Sequence, residues 1–318
     1  MITPEERVER IRNRKAKAAL NKLNALPGMG GLKSQIEQMV QFAKVSKLRE
    51  EMGLKTESHT LHMVFTGNPG TGKTTAARLI GEAFVYTGLL KTTKDEIPFI
   101  EVHQSDITEA LVGASEKKIS AKFDAARGGV LFIDEAYSFL GKSEHKSDEK
   151  VVAVIVQKME DMRDGVMVIA AGYPKEMEDF LNFNPGLRSR FPNKIHFPDY
   201  AVADLMAIAE VMCADREYEM APEFTEKLSQ RLNQERALPG FGNARTVRNI
   251  IEQSIRRQSL RVSALVRPDR DALVTLLGDD VALMSVQQPF VSEKDRLLDS
   301  IGKAKKRLFE LEMEEMLS

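Results

Sequence analysis

The chain has one cysteine in 318 residues, Cys213, so an internal disulfide is excluded and no second thiol is present to share a metal. That suits a reducing compartment, with Cys213 expected as a small buried hydrophobe. Net charge is also missing. Lys plus Arg at 46 against Asp plus Glu at 47 leaves −1, which removes any global attraction for nucleic acid. No apolar run approaches the roughly 20 residues of a membrane span, and the opening MITPEERVERIRNRK lacks the apolar centre of a signal peptide. A cytoplasmic protein is the expectation. His59 and His62 flank the start of an apolar run without carboxylate–histidine spacing, so no structural metal is expected.

What is present is ordinary globular material, 42% hydrophobic and 29% charged, in a chain long enough for one large unit and a smaller one. Thr3-Pro4-Glu5-Glu6 reads as a capping box opening a basic helix to about Leu26. Leu26–Gly31 (LPGMGG) breaks that helix, and helical spacing resumes over Leu32–Met52. Apolar strand candidates follow at Leu61–Thr66, Phe99–His103, Val130–Ile133, Val166–Ala171 and Lys194–Phe197. Helical patterns lie between them. This alternation predicts a parallel α/β sheet whose ligand site lies beyond the carboxyl ends of its strands. After Tyr200 the strand signal fades into helical patterns at Val202–Arg216, Pro222–Glu235 and Ala244–Leu260. The tail from Val291 shows heptad-like spacing over two repeats, too few for a coiled coil to be assigned.

Gly67-Asn68-Pro69-Gly70-Thr71-Gly72-Lys73-Thr74 satisfies G-x-x-x-x-G-K-[ST] between an apolar strand and a helix, followed by Thr75. Glycines there let successive backbone N–H groups curl around phosphates, and the helix start adds its positive end. Lys73 is expected to reach the β- and γ-phosphates of ATP, and the Thr74 hydroxyl to ligate Mg2+. About 60 residues downstream, the buried-strand pattern Val130–Ile133 ends in Asp134 and Glu135. Asp134 is expected to hold Mg2+ and Glu135 to polarise the attacking water.

These segments, with Asn184-Pro185-Gly186-Leu187-Arg188-Ser189-Arg190-Phe191 and Gly242-Asn243-Ala244-Arg245, resemble the AAA+ branch that contains red-type Rubisco activases, stage V sporulation protein K and type VII secretion ATPases. The resemblance covers about Leu26–Leu260. It implies a P-loop NTPase α/β core at residues 26–199 and an all-helical lid at 200–285. Helical extensions are expected at 1–25 and 286–318. It further implies a ring-shaped homo-oligomer, usually a hexamer, that uses ATP to remodel a protein partner. Arg190 would be the arginine finger offered to a neighbour, Arg188 the second candidate, and Arg245 the sensor-2 arginine. Read alone, all three are also ordinary surface arginines.

Where the family expects a polar sensor-1 residue the chain has Ala170-Ala171-Gly172-Tyr173, leaving Tyr173 open between a sensor and a core tyrosine. At the position of a pore loop it reads Leu111-Val112-Gly113 without the usual aromatic, which implies a weak grip on a threaded chain, or simply packing of these residues in the subunit. Arg256, Arg257 and Arg261 could form a basic face but read more simply as solvated charge. Two rivals to a remodelling motor are a nucleotide-dependent assembly switch and a DNA-directed ATPase. Against the latter, no DNA-binding appendix follows the lid pattern.

Overall fold

The computed structural model describes residues 4–56, 60–92, 94, 96–107, 113–140 and 146–282. Thr3 of the capping box, His59, Leu111, Val112 and the tail from Val291 lie outside these. Two long helices come first, α1 (Pro4–Ala25) and α2 (Gly30–Glu51). The core follows as β1 (Met63–Gly67), α3 (Lys73–Tyr86), β2 (Phe99–Val102), α4 (Gln104–Ile107) and α5 (Ala114–Ala125). It continues through β3 (Gly129–Ile133), α6 (Lys146–Asp161), β4 (Val166–Gly172), α7 (Pro174–Phe183), α8 (Pro185–Arg190) and β5 (Asn193–Phe197).

The five strands form one parallel sheet in the order β2-β3-β4-β1-β5. Parallel strands covered on both faces must be apolar on both, and every residue of β3 and β4 is buried. Alternate side chains feed two cores. Met63, Phe65, Phe132 and Ile169 pack with α3 and with stripes of α1 (Ala19, Leu23) and α2 (Leu32, Ile36, Val40). Val64, Leu131, Ile133 and Val168 face α5, α6 and α7 on the other side. Helix stripes at i, i+4 and i+8 are what a 3.6-residue period presents to a flat sheet.

The rest of the described chain comprises α9 (Val202–Ala214), β6 (Glu219–Met220), α10 (Pro222–Arg236), α11 (Ala244–Ser263), α12 (Arg270–Val274) and β7 (Thr275–Leu276). It is helical apart from one feature the sequence pattern did not show, a two-residue parallel ladder of β6 with β7. Cys213 is buried on α9, and burial pushes its thiol up to about 11. Of Arg256, Arg257 and Arg261 on α11, two hold the segment after β7. Arg261 grips buried Asp280 at 2.9 and 3.3 Å, and Arg257 donates to the Val281 carbonyl at 3.3 Å.

His62, just before β1, is a core histidine with both ring nitrogens in use. Nε2–H donates to the Met159 carbonyl (3.2 Å), and Nδ1 accepts from Val168 N–H (3.0 Å). Burial lowers its pKa to about 4, with Arg190 adding to the shift. The unfolded chain, with an ordinary pKa near 6.5, then binds the extra proton first as pH falls. Stability is therefore fully present above about 6.5 and declines toward 4, by about 3 kcal/mol in all. Urea midpoints measured against pH should show this loss, and His62→Gln, which can keep both bonds without titrating, should flatten it.

Candidate active site

The motifs converge on a cavity of about 300 Å3 beyond the carboxyl ends of β1, β3 and β4. Its walls include Gly67, Pro69, Gly70 and Gly72 of the loop after β1, then Lys73, Thr74 and Thr75 at the start of α3. Asp134 and Glu135 enter from the end of β3, Gly172 and Tyr173 from the end of β4, and Ala244, Arg245 and Arg248 from the start of α11. The glycines are required where they stand. Gly72 has φ +86°, and a Cβ there would come within 2.7 Å of the Met29 side chain and 3.0 Å of the Tyr200 hydroxyl. Asn68 and Thr71, also expected at the site, do not line the cavity. The Asn68 amide turns to Asp199, and the Thr71 hydroxyl donates to the Asn68 carbonyl at 2.8 Å.

Lys73 donates from Nζ to the carbonyls of Gly67 (2.8 Å) and Asn68 (2.9 Å). Burial lowers its pKa and Arg245 adds to that, while Asp134 and Glu135 oppose the shift. Three cationic side chains, Lys73, Arg245 and Arg248, therefore share a small cavity with two carboxylates, an arrangement matched to a polyanion with a divalent cation. Thr74 and Asp134 supply an oxygen-only donor set, which suits Mg2+.

Asp134 accepts Glu135 N–H on Oδ1 at 3.1 Å. Glu135 itself has φ +50°, an unusual conformation for a residue with a side chain and of the kind that collects at functional sites. Tyr137 stands beside it, its hydroxyl pushed up to about 12 by burial and by the Glu135 charge, and its ring lies 6.1 Å from that of Tyr173. Tyr173 thus lines the cavity at the end of β4, in the place where sensor 1 was expected.

Arg188 and Arg190 do not reach this cavity. Arg188 hydrogen-bonds Asn182, and the Arg190 guanidinium lies 3.4 Å from both Glu160 and the Gly186 carbonyl. The neighbouring Phe191 ring packs 6.3 Å from His62, and Asn193 pairs with Met63. The two arginines therefore sit near the amino end of β1, while the phosphate loop begins at its carboxyl end. The four residue steps of β1 separate these ends by about 13 Å. Of the pore-loop expectation only Gly113 is described, with φ +80° at the start of α5.

The sequence reading missed Arg248, although it lies one helical turn beyond Arg245 and so on the same face of α11. Asn243, named from the sequence only within the Gly242–Arg245 segment, and Asp199 had no expected role, and theirs emerge only from three segments meeting in space.

A five-stranded parallel sheet of this order, a phosphate loop between β1 and α3 and a helical lid closing over it define a P-loop ATP hydrolase of the AAA type. Two family descriptions match the chain, "ATPase family associated with various cellular activities (AAA)" over residues 63–199 and "AAA lid domain" over residues 201–289. Stage V sporulation protein K of Bacillus subtilis is 39% identical over 259 residues, which is 80% of this chain and 79% of that protein. Protein CfxQ of Xanthobacter flavus is 37% identical over 257 residues, 80% of each. Protein CbbX of Cereibacter sphaeroides is 34% identical over 280 residues, 87% of this chain and 89% of that one. Among solved structures, the AAA domain of FIGL-1 superposes with a TM-score of 0.57 at 19% identity, covering 89% and 88% of the two chains, a likeness of fold alone. The chain belongs to the AAA ATPase family, as a relative of stage V sporulation protein K and the CfxQ and CbbX proteins. Among the described residues no helix is long and apolar enough to cross a membrane.

Proposed function

We propose that the protein is a ring-forming ATPase, of hexameric or similar symmetry, that couples ATP hydrolysis to remodelling of a protein partner. In this reading Lys73 grips the β- and γ-phosphates, with the loop N–H groups of residues 67–72 and Thr75 around them. Thr74 and Asp134 hold Mg2+, which when bound screens the phosphate charge. Glu135 orients and deprotonates the attacking water, and Arg245 with Arg248 draws the lid onto the nucleotide.

The observation that carries the ring is the separation of Arg188 and Arg190 from their own cavity by the length of β1. An arginine side chain cannot span about 13 Å, so a finger on this loop can act only on a neighbouring copy. Arg190 is the first choice for that finger and Arg188 the second. The remodelling step rests on the relatives, one group of which is described as ribulose bisphosphate carboxylase/oxygenase activase. Leu111, Val112 and Gly113 are the proposed pore contact, with leucine offering an apolar but less extensive grip than an aromatic ring. Capture on immobilised Glu135→Gln protein loaded with ATP tests partner engagement. A protein retained with ATP and released with ADP supports remodelling, whereas a nucleotide-dependent complex of this chain alone favours the assembly switch.

A further inference from the structure

We propose that Asn243 is a positioning residue for nucleotide binding: through Asp199 and the Pro69 carbonyl it fastens the back of the phosphate loop to the helix that carries Arg245 and Arg248. Asn243 adopts φ +50°, ψ −123°, a region that glycine enters freely and asparagine enters at a cost. Its side chain is fully buried and makes three bonds. Oδ1 accepts from Tyr200 N–H at 2.9 Å, while Nδ2 donates to Asp199 Oδ1 at 2.7 Å and to the Pro69 carbonyl at 3.3 Å. A strained backbone kept for the sake of a fully engaged side chain points to a task that glycine could not perform.

That task lies in the loop. Asp199 also accepts Asn68 Nδ2 on both oxygens at 3.0 Å, so one carboxylate joins the loop, the linker after β5 and the turn before α11. Ala244 N–H, one of the unpaired donors at the start of α11, bonds the Gly70 carbonyl at 3.1 Å, and the Tyr200 hydroxyl bonds the Thr71 carbonyl at 3.0 Å. The carbonyls of residues 69, 70 and 71 are thus each held from behind by a donor from the linker or the lid. Each belongs to a peptide unit whose N–H is that of residue 70, 71 or 72. A donor on the carbonyl polarises its peptide and strengthens the N–H on the far side. The contact is tight enough that a Cβ on Gly70 would stand 2.1 Å from the Gly242 carbonyl. The same bonds fix where Arg245, two residues beyond Asn243, meets the cavity. Phosphate bound in the loop and the placement of the lid arginines are then coupled in both directions.

The test is equilibrium binding of a fluorescent ADP to the full chain, with circular dichroism showing each variant folded at the assay temperature. ADP binding needs no neighbouring subunit, so this result stands apart from the ring proposal. Asn243→Gly suits the backbone angle yet deletes the three side-chain bonds, and is expected to weaken ADP about tenfold, the scale of a net lost hydrogen bond. In that background Arg245→Ala should add much less than it does in the native chain, because a mispositioned arginine has little left to lose. Asn243→Asp alone opposes two carboxylates and should weaken ADP. Adding Asp199→Asn restores a donor–acceptor pair and should recover part of the loss. Native affinity in Asn243→Gly, a full additive effect of Arg245→Ala, or no recovery in the swapped pair would each overturn the proposal.

Discussion

Glu135→Gln is expected to lower kcat by on the order of 10³ while leaving ATP bound at close to native affinity, because removing a base that acts on water costs the transition state rather than the ground state. Glutamine keeps the size and hydrogen-bonding reach of glutamate but cannot accept the proton. The geometry favours such a separation. Glu135 reaches the cavity from a strained turn at the end of β3, whereas Lys73 opens α3 and bonds back to the loop carbonyls of Gly67 and Asn68. Lys73→Ala should therefore act earlier and weaken ATP itself by roughly 100-fold, the loss of a charge-assisted contact inside a partly buried cavity. Isothermal titration beside steady-state turnover distinguishes the two. Equal loss of binding in both variants would contradict these roles.

Arg190→Ala is expected to leave ATP binding intact and reduce turnover in the assembled protein by about 10³, the scale of a finger that meets charge only in the transition state. Its guanidinium is held near Glu160 and the Gly186 carbonyl of its own chain and does not line its own cavity, and in the proposed ring it would serve the cavity of a neighbour. Mixing decides the point. Glu135→Gln subunits keep their arginines and lack the base, so at sites formed by Arg190→Ala chains they should restore partial turnover. Failure to restore activity at every ratio, with mixed assemblies demonstrated by mass, would rule out action between subunits. Arg188→Ala in the same experiment shows which of the two arginines acts, since Arg188 is the more exposed and, among the described residues, is tied to Asn182.

The parts of this site that could be read from the sequence are those whose physics is local. A run such as Val130–Ile133 is apolar because both faces of β3 are covered, and two carboxylates at its end can only lie at the sheet edge. The loop glycines announce themselves because no other residue fits, as the contacts that a Cβ at Gly70 or Gly72 would make now show. Strand starts were less legible. Leu61 and His62 read as strand because they are buried, yet the ladder begins at Met63. What stayed hidden is non-local: Asn68, Asp199 and Asn243 are single polar residues far apart in the chain, and nothing in their spacing says that they meet. Arg248 is an intermediate case, since its i+3 relation to Arg245 was visible but only the packing of α11 shows that both face the cavity.

The claim that each active site is completed by a second subunit is tested most directly by ATPase rate per chain as a function of protein concentration, with assembly mass measured on the same samples. The account predicts negligible turnover where the chain is monomeric, and a specific activity that rises and levels off together with the appearance of the assembled species. A specific activity that is constant from the monomeric to the assembled range would contradict it.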